Sequence, residues 1–205
     1  MNPFPLSSRG AEIFDEIKRE RPRLGLTLGK PARAGDRIAC MTDEEIVGGE
    51  VKDPSLAKAA RAGLLLSADH FAESHSVCQA LETVEGSYWH GILHRREPDP
   101  SNAKYWFRRV GYHPIWPVLV DPPAGHPARG SKALADVTQV AGWDPERFVD
   151  ACASLSLLRA AGGKAGPGDE YRAQLEDLEE WEVFCLLRFC VEGAAGGPRP
   201  ARRPR

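Results

Sequence analysis

Three of the chain's four Asp-Pro pairs constrain it more than any other feature: Asp53-Pro54, Asp99-Pro100 and Asp144-Pro145. Aspartate at such a position accepts hydrogen bonds from the first free N–H groups of a helix. The proline that follows has its φ preset for the first turn, where its missing N–H costs nothing. Thr42-Asp43-Glu44-Glu45 adds a capping box, and Gly48-Gly49 is its stop. No period-two alternation is long enough to predict a sheet. The fold class expected is therefore all-α, an irregular bundle of about seven or eight helices with Pro/Gly-rich connections.

Helical periodicity places helices over 11–20, 53–63, 64–84, 87–96, 99–110, 131–141, 144–158 and 169–191, with a short turn over 113–120. Gly63 is expected to end one helix, and Ser87 to cap another. Over 64–84 the stripe Leu66, His70, Ser74, Val77, Leu81 and Val84 keeps helical spacing. Loops are expected over 21–35, 121–130 and 161–168, and a loose arm over 1–10. Residues 1–192 read as a single domain with a signature core at 64–120. Residues 193–205 contain only Gly, Ala, Pro and Arg, and read as a disordered basic tail. These loops and ends absorb much of the chain's 20 glycines and 17 prolines.

The net charge of −2 excludes a globally basic protein built for nucleic acid. Its distribution is uneven. Residues 41–85 carry nine acidic side chains against three basic ones, whereas 86–116 carry two against five, with His90, His94 and His113. Residues 169–192 are acidic again. Met1 to Arg9 lacks the apolar run of a secretory leader, and no stretch approaches the ~20 apolar residues of a membrane span. The cysteines (Cys40, Cys78, Cys152, Cys185, Cys190) are odd in number and form no Cys-x-x-Cys pair. Reduced thiols in a cytoplasmic protein are the expectation.

The chemistry-bearing stretch runs from Gly86 to Pro114. Here Tyr88, Trp89, Tyr105, Trp106 and Phe107 are interleaved with histidines and arginines. His90 and His94 are four apart, one turn along a helix face. Such a pair with a nearby carboxylate can supply two or three metal ligands. The Glu that follows the first His in a metalloprotease helix is replaced by Gly91. An antiparallel hairpin at the Gly86 turn would bring Glu73 and His75 to the same face. The candidate catalytic set is thus His75, His90, His94 and Glu73: the histidines act as acid/base groups or as ligands of zinc, nickel or manganese, and Glu73 and Glu97 orient them. The metal ligands would be His75, His90 and His94. Arg95, Arg96, Lys104 and Arg108 are candidates for holding a small phosphate- or carboxylate-bearing molecule. Glu97, Asn102, Trp106 and His113 complete the ligand-binding set. Competing readings are pairing of at least two arginines with the acidic helices, a non-catalytic interaction domain, and a buried structural polar core. The sequence leaves the oligomeric state open.

The segments Gly86–His90, His94–Asp99, Ser101–Gly111 and His113-Pro114, with Glu73-Ser74-His75 upstream, resemble the core of an uncharacterised protein family. That resemblance covers about a quarter of the chain and implies one recurring structural unit, with no activity attached. A looser likeness is to four-helix-bundle metalloenzymes of the DinB type. These combine a histidine from an early helix with a His-x-x-x-His pair from a later one. The Pro-rich turns and arginine content here depart from that pattern.

Overall fold

The computed structural model describes residues 8–20, 24–140, 142–160 and 167–197. Its helices are α1 (Ser8–Glu20), α2 (Arg33–Cys40), α3 (Asp43–Val47), α4 (Pro54–Ser67), α5 (Phe71–Gln79), α6 (Val84–Arg96), α7 (Pro100–Val110), α8 (Trp116–Leu119), α9 (Lys132–Val137), α10 (Pro145–Ala160) and α11 (Pro167–Ala194). A two-stranded antiparallel ribbon, β1 (Thr138–Gln139) and β2 (Gly142–Trp143), pairs Thr138 with Trp143. The architecture is all-α. Eleven helices among the described residues exceed the seven or eight expected, because α2, α3 and α8 are short.

The Asp-Pro starts behave as their chemistry requires. Asp53 accepts from the N–H groups of Ser55 and Leu56, Asp99 from Asn102, and Asp144 from Glu146 and Arg147. The capping box at Thr42 is complete, and Gly48 ends α3 in the left-handed conformation.

Elsewhere tertiary partners override the local pattern. Helix α2 starts within the expected 21–35 loop and runs beyond it. Its exit is held by Arg61 of α4, which donates to the carbonyls of Ile38 (2.8 Å) and Met41 (2.7 Å). The expected helix over 64–84 is broken. Helix α4 continues through Gly63 to Ser67, and Asp69 then takes a φ of 56°. Arg96 of α6 accounts for the break: it donates to the Leu66 carbonyl (2.7 Å) and pairs with Asp69. Thr83, not Ser87, caps α6, and its hydroxyl accepts from the N–H of Gly86 (3.0 Å). The helix expected over 131–141 ends early at Val137, where the ribbon starts.

At the other end of the chain, α11 runs past 191. The Ala194 carbonyl accepts from the N–H groups of Lys52 (2.8 Å) and Asp53 (3.1 Å), so the chain is still packed where the tail was expected. Residues 1–7, 161–166 and 198–205, on which the arm, most of the last loop and most of the tail fall, lie outside the described residues.

Helix α4 is the centre of the molecule. It packs against α11, α5, α3, α6 and α2, and its Leu64, Leu65 and Leu66 are buried with Trp89, Ile92 and Leu93 of α6 and Leu178, Leu186 and Leu187 of α11. Two glycines set how closely α6 is gripped. A Cβ on Gly63 would sit 2.4 Å from the Trp89 ring, and one on Gly91 would sit 2.9 Å from the Phe107 ring of α7. Glycine is needed at both for close approach rather than for φ. Gly63→Val should therefore lower stability by ~1–3 kcal/mol through overpacking. A urea denaturation midpoint equal to that of the parent chain would contradict this.

Candidate metal centre

The hairpin of α5 and α6 assembles a histidine cluster. His90 and His94 stand one turn apart on α6 with rings stacked at 4.9 Å and 16°. His75 of α5 meets both edge-on, at centroid distances of 4.6 and 5.5 Å. One ligand nitrogen from each of the three lies within 4.8 Å of the others. His90 and His94 are only 2% and 5% exposed, and His75 is half-buried.

Two of the three rings have an orienting partner outside the cluster. His94 donates Nδ1–H to Glu97 Oε2 at 2.8 Å, which leaves Nε2 as its lone-pair nitrogen. A carboxylate behind a histidine in this way fixes the tautomer that metal ligation needs. His90 is clamped flat against the Trp106 indole, with centroids 3.9 Å apart and planes within 14°. Its Nε2 lies 3.1 Å from Nε2 of His75. Burial, then the neighbouring charges of His94 and His75, push the His90 pKa down to about 3, so the ring is neutral at pH 7 with its lone pair available. Asn102 of α7 places its amide nitrogen 3.1 Å from His94 Nε2. Turning that amide would offer its oxygen instead.

The donor set fits a borderline transition metal. Tetrahedral bonds of about 2.0–2.1 Å set ligand nitrogens about 3.4 Å apart. The His75–His90 pair, at 3.1 Å, is already near that spacing, and all three ligand atoms lie within 4.8 Å of one another. Three imidazoles also leave a fourth position for a non-protein ligand.

Glu73, expected in the cluster, is outside it. Its side chain is 55% exposed and lies 3.7 Å from Nδ1 of His70, whose Nε2 in turn binds the Ala32 carbonyl. Residues two apart on a helix face different ways, so His75 and Glu73 cannot both point at α6. His113 is also elsewhere, fully buried 3.8 Å from Glu85 and edge-on to Tyr88 and Phe189.

The expected anion-binding cations are taken by carboxylates. Arg95 lies buried between Glu179 (2.6 Å) and Glu182 of α11, with its guanidinium 3.9 Å above the Phe148 ring. Burial alone would lower the Arg95 pKa, but the charges of Glu179 and Glu182 outweigh it and hold it above the ordinary value. Tyr88 donates to Glu182 (2.9 Å) and accepts from the Trp116 indole N–H (3.2 Å). Arg96 pairs with Asp69. Lys104 is 2.6 Å from Asp150, and Arg108 grips Glu146 with two bonds of 2.8 and 3.1 Å. The alternation of acidic and basic blocks pointed to such pairing. It did not single out Glu179 and Glu182, which sit among several acids of α11.

In comparisons with known proteins, no family model, no curated protein and no solved structure matches the chain.

Removing one member of the Arg95 group strands the others. Arg95→Met should cost roughly 3–5 kcal/mol, because two buried carboxylates lose their cation. The triple replacement Arg95→Met, Glu179→Leu, Glu182→Met should recover most of that loss. Thermal and urea unfolding would check both, and a single variant as stable as the parent would contradict the network's role.

Proposed function

We propose that the protein binds one divalent transition metal through His75, His90 and His94, and that this centre takes a small anionic molecule in a hydrolase-like reaction. The convergence of three imidazole nitrogens within 4.8 Å carries the reading. Neutral ligands leave the ion's charge uncompensated, so positive charge for an anion comes from the metal rather than from Arg95, Arg96, Lys104 or Arg108. Imidazole favours zinc or nickel over manganese, which prefers oxygen donors. When bound, such an ion supplies Lewis-acid polarisation and a water of lowered pKa, about 7 for zinc in open sites. The protein's own part is to orient: Glu97 fixes the His94 tautomer, Trp106 fixes the His90 plane, and burial keeps His90 unprotonated. Among the described residues no helix is long and apolar enough to cross a membrane. All five cysteines are free thiols, which supports our placing the protein in the cytoplasm.

A second reading is a structural polar core without catalysis. The buried pairs of Arg95 with Glu179 and Glu182, and of Arg96 with Asp69, favour it. Metal analysis of untagged protein separates the two. We expect close to one ion per chain. We also expect zinc or nickel at about 100 times its dissociation constant to stabilise the fold by ~2.7 kcal/mol. The His75→Ala variant should fold and lose that shift. Sub-stoichiometric metal, with no change in Tm on adding zinc, nickel or manganese, would sink the metal reading and leave the structural one.

A further inference from the structure

Asn102 and Trp106 are not the only side chains on their face of helix α7. Asn102, Trp106 and Arg109 are spaced i, i+4 and i+7 and so share one face of α7. Asn102 reaches His94, and Trp106 covers His90. Arg109 is exposed, and its guanidinium carbon stands 5.3 Å from the Trp106 ring centre and 5.9 Å from that of Tyr105. Its Nη1 lies 3.5 Å from the Tyr105 hydroxyl. Arg95, Arg96, Lys104 and Arg108 each have a carboxylate partner. Among the described residues no carboxylate lies within 4.0 Å of Arg109. It is the cation of this block that keeps its charge and its planar fork for a ligand, and the rings beside it limit its freedom.

We infer that Arg109 holds the distal anionic group of the molecule that binds at the histidines, an inference that rests on the metal reading above. His90 stacks on the Trp106 indole at 3.9 Å, and the Arg109 guanidinium stands beside that same indole. One indole therefore touches both the histidine cluster and the guanidinium, and a ligand with two anionic ends can engage both. The ligand class is an extended organic dianion: one oxygen-bearing end at His75, His90 and His94, and a carboxylate at Arg109. A guanidinium takes such a carboxylate with two parallel bonds.

The test uses the full chain loaded with cobalt(II), whose visible spectrum reports changes in its ligands, titrated with acetate and with adipate. Adipate should bind more tightly than acetate to the parent protein. Arg109→Gln should weaken adipate about tenfold, leave acetate unchanged, and leave the cobalt affinity unchanged. Arg109→Lys should fall between them. Cobalt binding with equal adipate affinity in parent and Arg109→Gln protein would overturn this inference and spare the metal centre. Failure of cobalt to bind the parent chain would overturn both.

Discussion

Two adjacent arginines at the end of α6 hold the rest of the molecule in register. Arg96 stops α4 by taking the Leu66 carbonyl and pairing with Asp69, and this turns the chain into α5. Arg95, one residue earlier, points the other way and binds α11 through Glu179 and Glu182. A single helical turn therefore joins the start of the histidine hairpin to the longest helix. Both ion pairs are buried. Their charges have been taken out of water, and the attraction between them must offset that cost. Such pairs contribute less to net stability than to fixing one arrangement. The arrangement fixed is the one in which His75 faces His90 and His94.

Local chemistry was readable; remote chemistry was not. The Asp-Pro starts and the Thr42 box concern groups two or three residues apart, and each appears as expected. The His90–His94 pair needed only the helical repeat, and His75 needed only a tight hairpin. Helix α2 was missed because the group that satisfies its last carbonyls, Arg61, arrives from α4. The break after Ser67 was missed because the apolar stripe runs straight through it. Arg96, some thirty residues later, braces the left-handed turn at Asp69 through the Leu66 carbonyl and the Asp69 carboxylate. Ser87 was mistaken for the cap because Gly86 reads as a break. In the structure that glycine is already inside the helix, bound to Thr83.

The charge pattern had a similar fate. Acidic and basic blocks along the chain did forecast pairing between them. The forecast for ligand binding at the same cations competed with it, and the fold assigns Arg95, Arg96, Lys104 and Arg108 to carboxylates. An arginine that looks available in sequence is therefore informative only once its distance to every acid is known.

Trp106 lies across His90, while His90 and His94 are almost wholly enclosed and His75 alone is half-buried. The cluster is consequently one-sided. His75 is the most exposed of the three rings, so the α5 flank is the more open side of the cluster. Side chains on α5 would then govern how fast the centre fills, and those on α7 how it is shaped once full. The two helices thus divide kinetics and recognition between them.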